Sequence, residues 1–250
     1  NQKVEKVYDD TDLKANDALA YLYDKGINEN KLMKILSVGG VGVKRKMVPT
    51  RWSITAVDDL ISKGISFLNN DLHKLIFSKD ISIIDDPIKQ KGLKSRPFDT
   101  EGIAGKKLDI VKNGELKTWL LDLRTARKLG LKTTGNASRT ISTSPEPAST
   151  NLYLSPGKLS PKKLIAETNE CFYVTELMGT AVNLITGDYS RGACGYWMKN
   201  GEIAFPVSEV TIAGNLRNMF KNLSAANDLQ FHYGTDAPTI RVEGTIIAGQ

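Results

Sequence analysis

The stretch GACGYWMKNGEIAFPVSEVTIAG, residues 192–214, carries the reading of the fold. Two apolar and aromatic runs flank Asn200-Gly201, a pair that accepts the positive φ angles of a two-residue hairpin turn. The spacing predicts two antiparallel strands there. Working outward, FYVTEL (172–177), AVNLIT (181–186) and TIRVEGTIIAG (239–249) read as further strands. A helix, NLRNMFKNLS (215–224), is inserted among them. Ser160 followed by Pro161 opens another helix over residues 162–170, because serine caps a helix N-terminus and proline suits its first position.

A second Asn-Gly pair, Asn113-Gly114, joins KLDIVK to ELKTWLLD and predicts another hairpin. Ile81, Ile83 and Ile84 form a short apolar run stopped by the turn residues Asp85-Asp86-Pro87. Residues 88–106 read as a long loop, and 136–150 as a flexible, exposed Ser/Thr-rich loop. Before Gly64 the period is helical. Thr11 or Asp12, Asn28 and Ser53 are cap candidates, and Gly26, Gly39-Gly40 and Gly64 are terminators. The fold class is therefore α+β: a mainly antiparallel, barrel-like sheet domain with a few helices over residues 70–250, preceded by a short helical segment over 1–64.

The composition is that of an ordinary globular chain: 250 residues, 40% hydrophobic and 25% charged. No run approaches the ~20 apolar residues of a membrane span, and the first ten residues have no apolar signal-peptide core. The expected setting is cytoplasmic, without a membrane partner. Two cysteines, Cys171 and Cys194, make no disulfide framework and no four-cysteine zinc site. The net charge of +6 is unevenly spread: residues 71–139 hold 15 basic and 9 acidic side chains, residues 140–250 hold 8 and 10. Mixed charge of this kind is the usual solvated surface.

The chemistry-bearing residues are sparse. His73 and His232 are the only histidines, and neither begins an H-E-x-x-H or H-E-x-x-x-H arrangement, so no metal ligands and no catalytic residues are expected in this chain. The glycines of GGVGVKR fit neither a P-loop nor G-x-G-x-x-G and read as a turn between helices. The basic run after them, Lys44, Arg45, Lys46 and Arg51 with Trp52, offers phosphate contacts and a stacking ring for nucleic acid. Ser160-x-x-Lys163 reads as helix capping rather than as a Ser-Lys nucleophile. Asp188, Ser190 and Arg191 read as a turn that also offers groups for peptide binding or for an interface.

Several longer runs carry a resemblance. SRPFDTEGIAGKK, VKNGELKTWLLD, TARKLGLKTTGNASR, NLYLSPGKLSP and VTELMGTAVNLITGDYSRGACGYWMKNGEIAFPVSEVTIAGNLRNMFKN closely resemble the C-terminal half of the TldE/PmbA proteins, once described as modulators of DNA gyrase. That resemblance implies a heterodimer with a TldD-type subunit, or a homodimer, acting on peptides and unfolded chains. It places the zinc and its H-E-x-x-x-H helix in the TldD partner, with no cofactor held here. Residues 14–63, notably VGGVGVKRKMVPTRWSITAVDDLISK, resemble instead part of the archaeal Nre DNA-repair family. That similarity implies the alternative function, nucleic-acid binding.

Overall fold

The computed structural model describes residues 41–42, 60–61, 63–179 and 182–249. The first described element is strand β1 (Val41–Gly42), where the sequence reads as a turn. The other N-terminal elements expected before Leu60 lie outside the described residues. Strand β2 (Ile83–Asp85) precedes a hairpin of β3 (Leu108–Lys112) and β4 (Glu115–Leu116). Asn113 and Gly114 close that hairpin at φ 50° and 80°, the left-handed values the turn requires. Helix α1 (Leu123–Leu129) starts where the Asp122 carboxylate accepts the Thr125 N–H and stops at Gly130 in the left-handed region.

Strands β5 (Ala137–Ser138) and β6 (Glu146–Pro147) pair inside the stretch read as a flexible loop. Its start is fixed, because Asn136 and Ala137 are buried. After β7 (Leu152–Leu154), helix α2 (Pro161–Ala166) is capped by Ser160 as expected and ends before Glu167, shorter than the run suggests. Then come the long strands β8 (Glu170–Met178), β9 (Asp188–Lys199) and β10 (Glu202–Asn215). Asn200 and Gly201 turn β9 into β10 at φ 50° and 84°. Helix α3 (Leu216–Lys221) is followed by β11 (Leu223–Ala225), β12 (Thr235–Asp236), β13 (Ile240–Val242) and β14 (Ile246–Ala248).

Two five-stranded sheets result, ordered β1-β8-β9-β10-β14 and β12-β7-β2-β3-β4. All pairings in them are antiparallel except β1 with β8 and β12 with β7. The sheets are open at their edges, so the barrel-like expectation gives way to two open, mainly antiparallel sheets among the described residues. The expected strand over 181–186 is also absent. Its described residues form a turn held by one bridge, Val182 to Tyr189, because Asn183 Oδ1 accepts the Ile185 and Thr186 amides instead of leaving them to a ladder.

The hydrophobic core runs through both sheets and takes in Phe67, Phe77, Ile83, Ile110, Phe172, Ile212 and Phe220. Phe77 and Phe220 stack with centroids 4.3 Å apart, tying α3 to the segment before β2. Cys171 is buried in β8 and Cys194 lies in β9, neither of them in a disulfide; their strand partners are Met198 and Glu176, not each other.

Candidate functional site

Asp188, Ser190 and Arg191 open the central strand β9 and do not form the turn expected of them. Successive side chains of a strand point to opposite faces, and burial follows that alternation: Asp188 and Ser190 are exposed, Tyr189 is buried and Arg191 half-buried. The structure therefore brings Asp188 and Ser190 to one face and sends Arg191 to the other. Arg191 Nη2 donates to the Leu177 carbonyl of β8 at 3.4 Å. Burial pushes the Tyr189 hydroxyl pKa up, and the Arg191 guanidinium, which hydrogen-bonds it, opposes that shift.

Asp188 is held at the surface. Its carboxylate accepts the Thr186 hydroxyl at 2.6 Å and the Asn215 amide at 3.2 Å. The Thr186 bond, then that from Asn215, lowers its pKa from the ordinary 3.8. Asn215 also caps α3 by accepting the Arg217 N–H at 3.1 Å. The carboxylate thus knots the turn at 183–187 to the end of β10.

A second cluster escaped the sequence reading. Asp85, at the end of β2, is fully buried and accepts three hydrogen bonds: Asn136 Nδ2 at 2.8 Å, Thr150 N at 2.7 Å and Thr150 Oγ1 at 2.9 Å. Nearby in the fold, Asp99 of the SRPFDTEG run accepts the Glu101, Ile103 and Ala137 amides. These two carboxylates fasten the 88–106 loop and the β5–β6 hairpin to the second sheet. The sequence shows Asp85 as an ordinary turn residue of Asp-Asp-Pro; its donors lie 51 and 65 positions away, so no local signal reveals it.

His73 and His232 are both exposed and outside any helix. Among the described residues no group of three His, Cys, Asp or Glu side chains could hold a metal ion, so these residues do not fit a zinc centre. No helix among them is long and apolar enough to cross a membrane. Lys44, Arg45, Lys46, Arg51 and Trp52 lie outside the described residues.

Comparison with known proteins matches two families, whose spans overlap over residues 52–74. The family described as the PmbA/TldA metallopeptidase C-terminal domain matches residues 52–249, and the archaeal Nre N-terminal family matches residues 1–74. The metalloprotease PmbA of Escherichia coli O157:H7 is 42% identical over 186 residues, covering 74% of this chain and 39% of that protein. A solved structure from Thermotoga maritima, described as a modulator of a DNA gyrase, superposes with a TM-score of 0.72 at 34% identity, over 84% of this chain and 49% of that one. TldE from Thermococcus kodakarensis shares the fold, with a TM-score of 0.72 at 23% identity over 86% of this chain and 50% of that one. At the other end, the DNA repair protein NreB of Archaeoglobus fulgidus is 61% identical over 62 residues, 25% of this chain and 16% of that protein. The chain thus spans half or less of the length of each of these relatives.

Proposed function

The chain belongs to the PmbA/TldA metallopeptidase C-terminal domain family over residues 52–249, and from that premise we propose that it acts as a zinc-less TldE/PmbA-like subunit of a cytoplasmic metallopeptidase complex. Its partner is a TldD-type subunit, and the substrates are peptides or unfolded chains. One observation carries the reading. The only two histidines stand 159 positions apart, outside any helix, whereas a zinc-peptidase helix sets two histidines on one face with a glutamate between them. The metal and its activated water then come from the partner. This chain contributes sheet and turn surface, with Asp188 and Ser190 exposed at the start of β9 for peptide or interface contact. In this reading residues 70–250 are the working domain and residues 1–64 an appendage.

The test is a casein or short-peptide cleavage assay. The purified chain, with or without added zinc, is expected to cleave nothing. Chelator-sensitive cleavage is expected once a TldD-type subunit is added, with a heterodimer visible in a native mass spectrum. Chelator-sensitive cleavage by the chain alone would overturn the proposal.

The Nre match favours a second reading, nucleic-acid binding by the N-terminal segment through Lys44, Arg45, Lys46, Arg51 and Trp52. Binding through phosphates falls steeply with salt. A DNA affinity that weakens with salt and disappears on neutralising Lys44, Arg45 and Lys46 is the expected result. An affinity indifferent to both would remove this reading.

A further inference from the structure

The chain contains the same four residues twice, each time as a hairpin turn. Lys112-Asn113-Gly114-Glu115 joins β3 to β4, and Lys199-Asn200-Gly201-Glu202 joins β9 to β10. Asn-Gly occurs nowhere else in the sequence. Both asparagines are exposed, and both turns take left-handed angles, φ 50° and 80° in the first and 50° and 84° in the second. An asparagine before glycine can lose its side-chain amide, because glycine has no Cβ to hinder its backbone nitrogen as that nitrogen attacks the Asn Cγ. In an unfolded chain the flanking residues set the rate, and here they are identical. The surroundings in the fold are not.

The first turn is locked. Gly114 is buried, its N–H donates to the Ile81 carbonyl at 2.7 Å, and its own carbonyl accepts the Ile76 and Phe77 amides at 2.9 and 3.0 Å. Asn113 N–H donates to Ser82 Oγ at 3.0 Å. A Cβ on Gly114 would fall 2.6 Å from the Phe77 carbonyl oxygen, so neighbouring backbone lies directly against this glycine. Beyond its strand ladder, the second turn has one such tie among the described residues: Asn200 N–H donates to the Asn169 carbonyl at 2.7 Å. Gly201 is half-buried, and no backbone acceptor among the described residues takes its N–H. A Cβ there would come no nearer than 3.9 Å to its surroundings, at Ala166 Cα.

We propose that Asn200 is a site of spontaneous deamidation and that the fold protects Asn113 from the same reaction. Solvent base takes the Gly201 N–H proton, and the nitrogen forms a bond to Asn200 Cγ. The Cγ–Nδ2 bond breaks, and the amide nitrogen gains a proton and leaves as ammonia, which creates a cyclic imide. Water then opens the imide at either carbonyl, giving aspartate or isoaspartate, with no change in oxidation state. Ring closure needs the asparagine backbone to leave the left-handed turn, so each reaction passes through a local opening. At Asn113 that opening disrupts the Gly114 bonds to Ile81, Ile76 and Phe77. At Asn200 no such set of bonds stands in the way. Isoaspartate adds one carbon to the main chain inside a two-residue turn. Either product also adds a carboxylate next to Lys199, whose strand partners Glu170 and Glu202 are already acidic.

The experiment incubates the full-length chain in mildly alkaline buffer, with circular dichroism to verify that it stays folded. Peptide-mapping mass spectrometry then measures amide-to-carboxylate conversion at each asparagine. Asn200 is expected to convert at least about tenfold faster than Asn113. In urea, with the chain unfolded, the two are expected to convert at the same rate. Equal rates in the folded chain, or faster conversion of Asn113, would overturn the proposal. The same preference persisting in urea would overturn it as well, by tracing the difference to sequence rather than to the fold.

Discussion

Gly195→Ala will lose on the order of 3 kcal/mol or more of stability, the upper end of what overpacking costs. Gly195 sits in the middle of β9, in register with Val174 of β8 and Val207 of β10. A Cβ there would lie 1.8 Å from the Tyr173 carbonyl oxygen and 3.0 Å from Val174 Cα. Those atoms are backbone of the neighbouring strand, so no rotamer change relieves the clash and the strands must separate. The cause is the register shift in β8 between Val174 and Glu176, which brings the two backbones close together. Gly192, three residues earlier, is the internal control. Its nearest neighbour would be Met178 Cβ at 3.5 Å, an ordinary contact, and Gly192→Ala should cost no more than about 1 kcal/mol. Thermal denaturation followed by circular dichroism separates the two. Equal melting temperatures for both variants would contradict the close approach.

Asp85→Ala comes next, with an expected loss of about 3 kcal/mol. It leaves the Asn136 amide, the Thr150 N–H and the Thr150 hydroxyl without their shared acceptor in a buried site. Asp85→Asn keeps one acceptor oxygen and should cost less. The pair also yields a pH signature. Burial, the largest influence, raises the Asp85 pKa above the ordinary 3.8, against the Asn136 and Thr150 hydrogen bonds and the charge of Arg96. A carboxyl raised in the folded state stabilises fully below its unfolded pKa, and that contribution is lost as pH rises through the folded value. The stability of the parent chain relative to Asp85→Asn should therefore fall as pH climbs above about 3.8, read from urea midpoints across a pH series. A difference that grows with pH would show that the three donors outweigh burial.

The elements legible in the sequence are those with local causes. Both Asn-Gly hairpins stand where expected, since only residues tolerant of positive φ make a two-residue turn. The Ser160 cap followed by Pro161 opens α2 for a similarly local reason. Helix α1 was not read from the sequence, although Asp122 and Gly130 stand at its ends: about two turns of mixed charge show no clear apolar period. Residues 181–186 went the other way: the apolar letters suggest a strand, and the Asn183 side chain takes the amides that a strand would need.

At the candidate site, the sequence shows which residue types stand at 188–191, and no more. A register change of one residue would exchange the faces of Asp188 and Arg191, and register is decided by pairing with β8 and β10, not by those four letters. The family, the two hairpins, the Ser160 cap and the lack of a zinc-ligand pattern were determined by the sequence alone. Tertiary structure decided the burial of Asp85, the separation of Arg191 from Ser190 and the open sheets. The physical reason is range: hairpin turns and caps are set by bonds among residues two to four apart, whereas burial and facing depend on partners such as Thr150, 65 positions from Asp85, whose proximity only the packed chain creates.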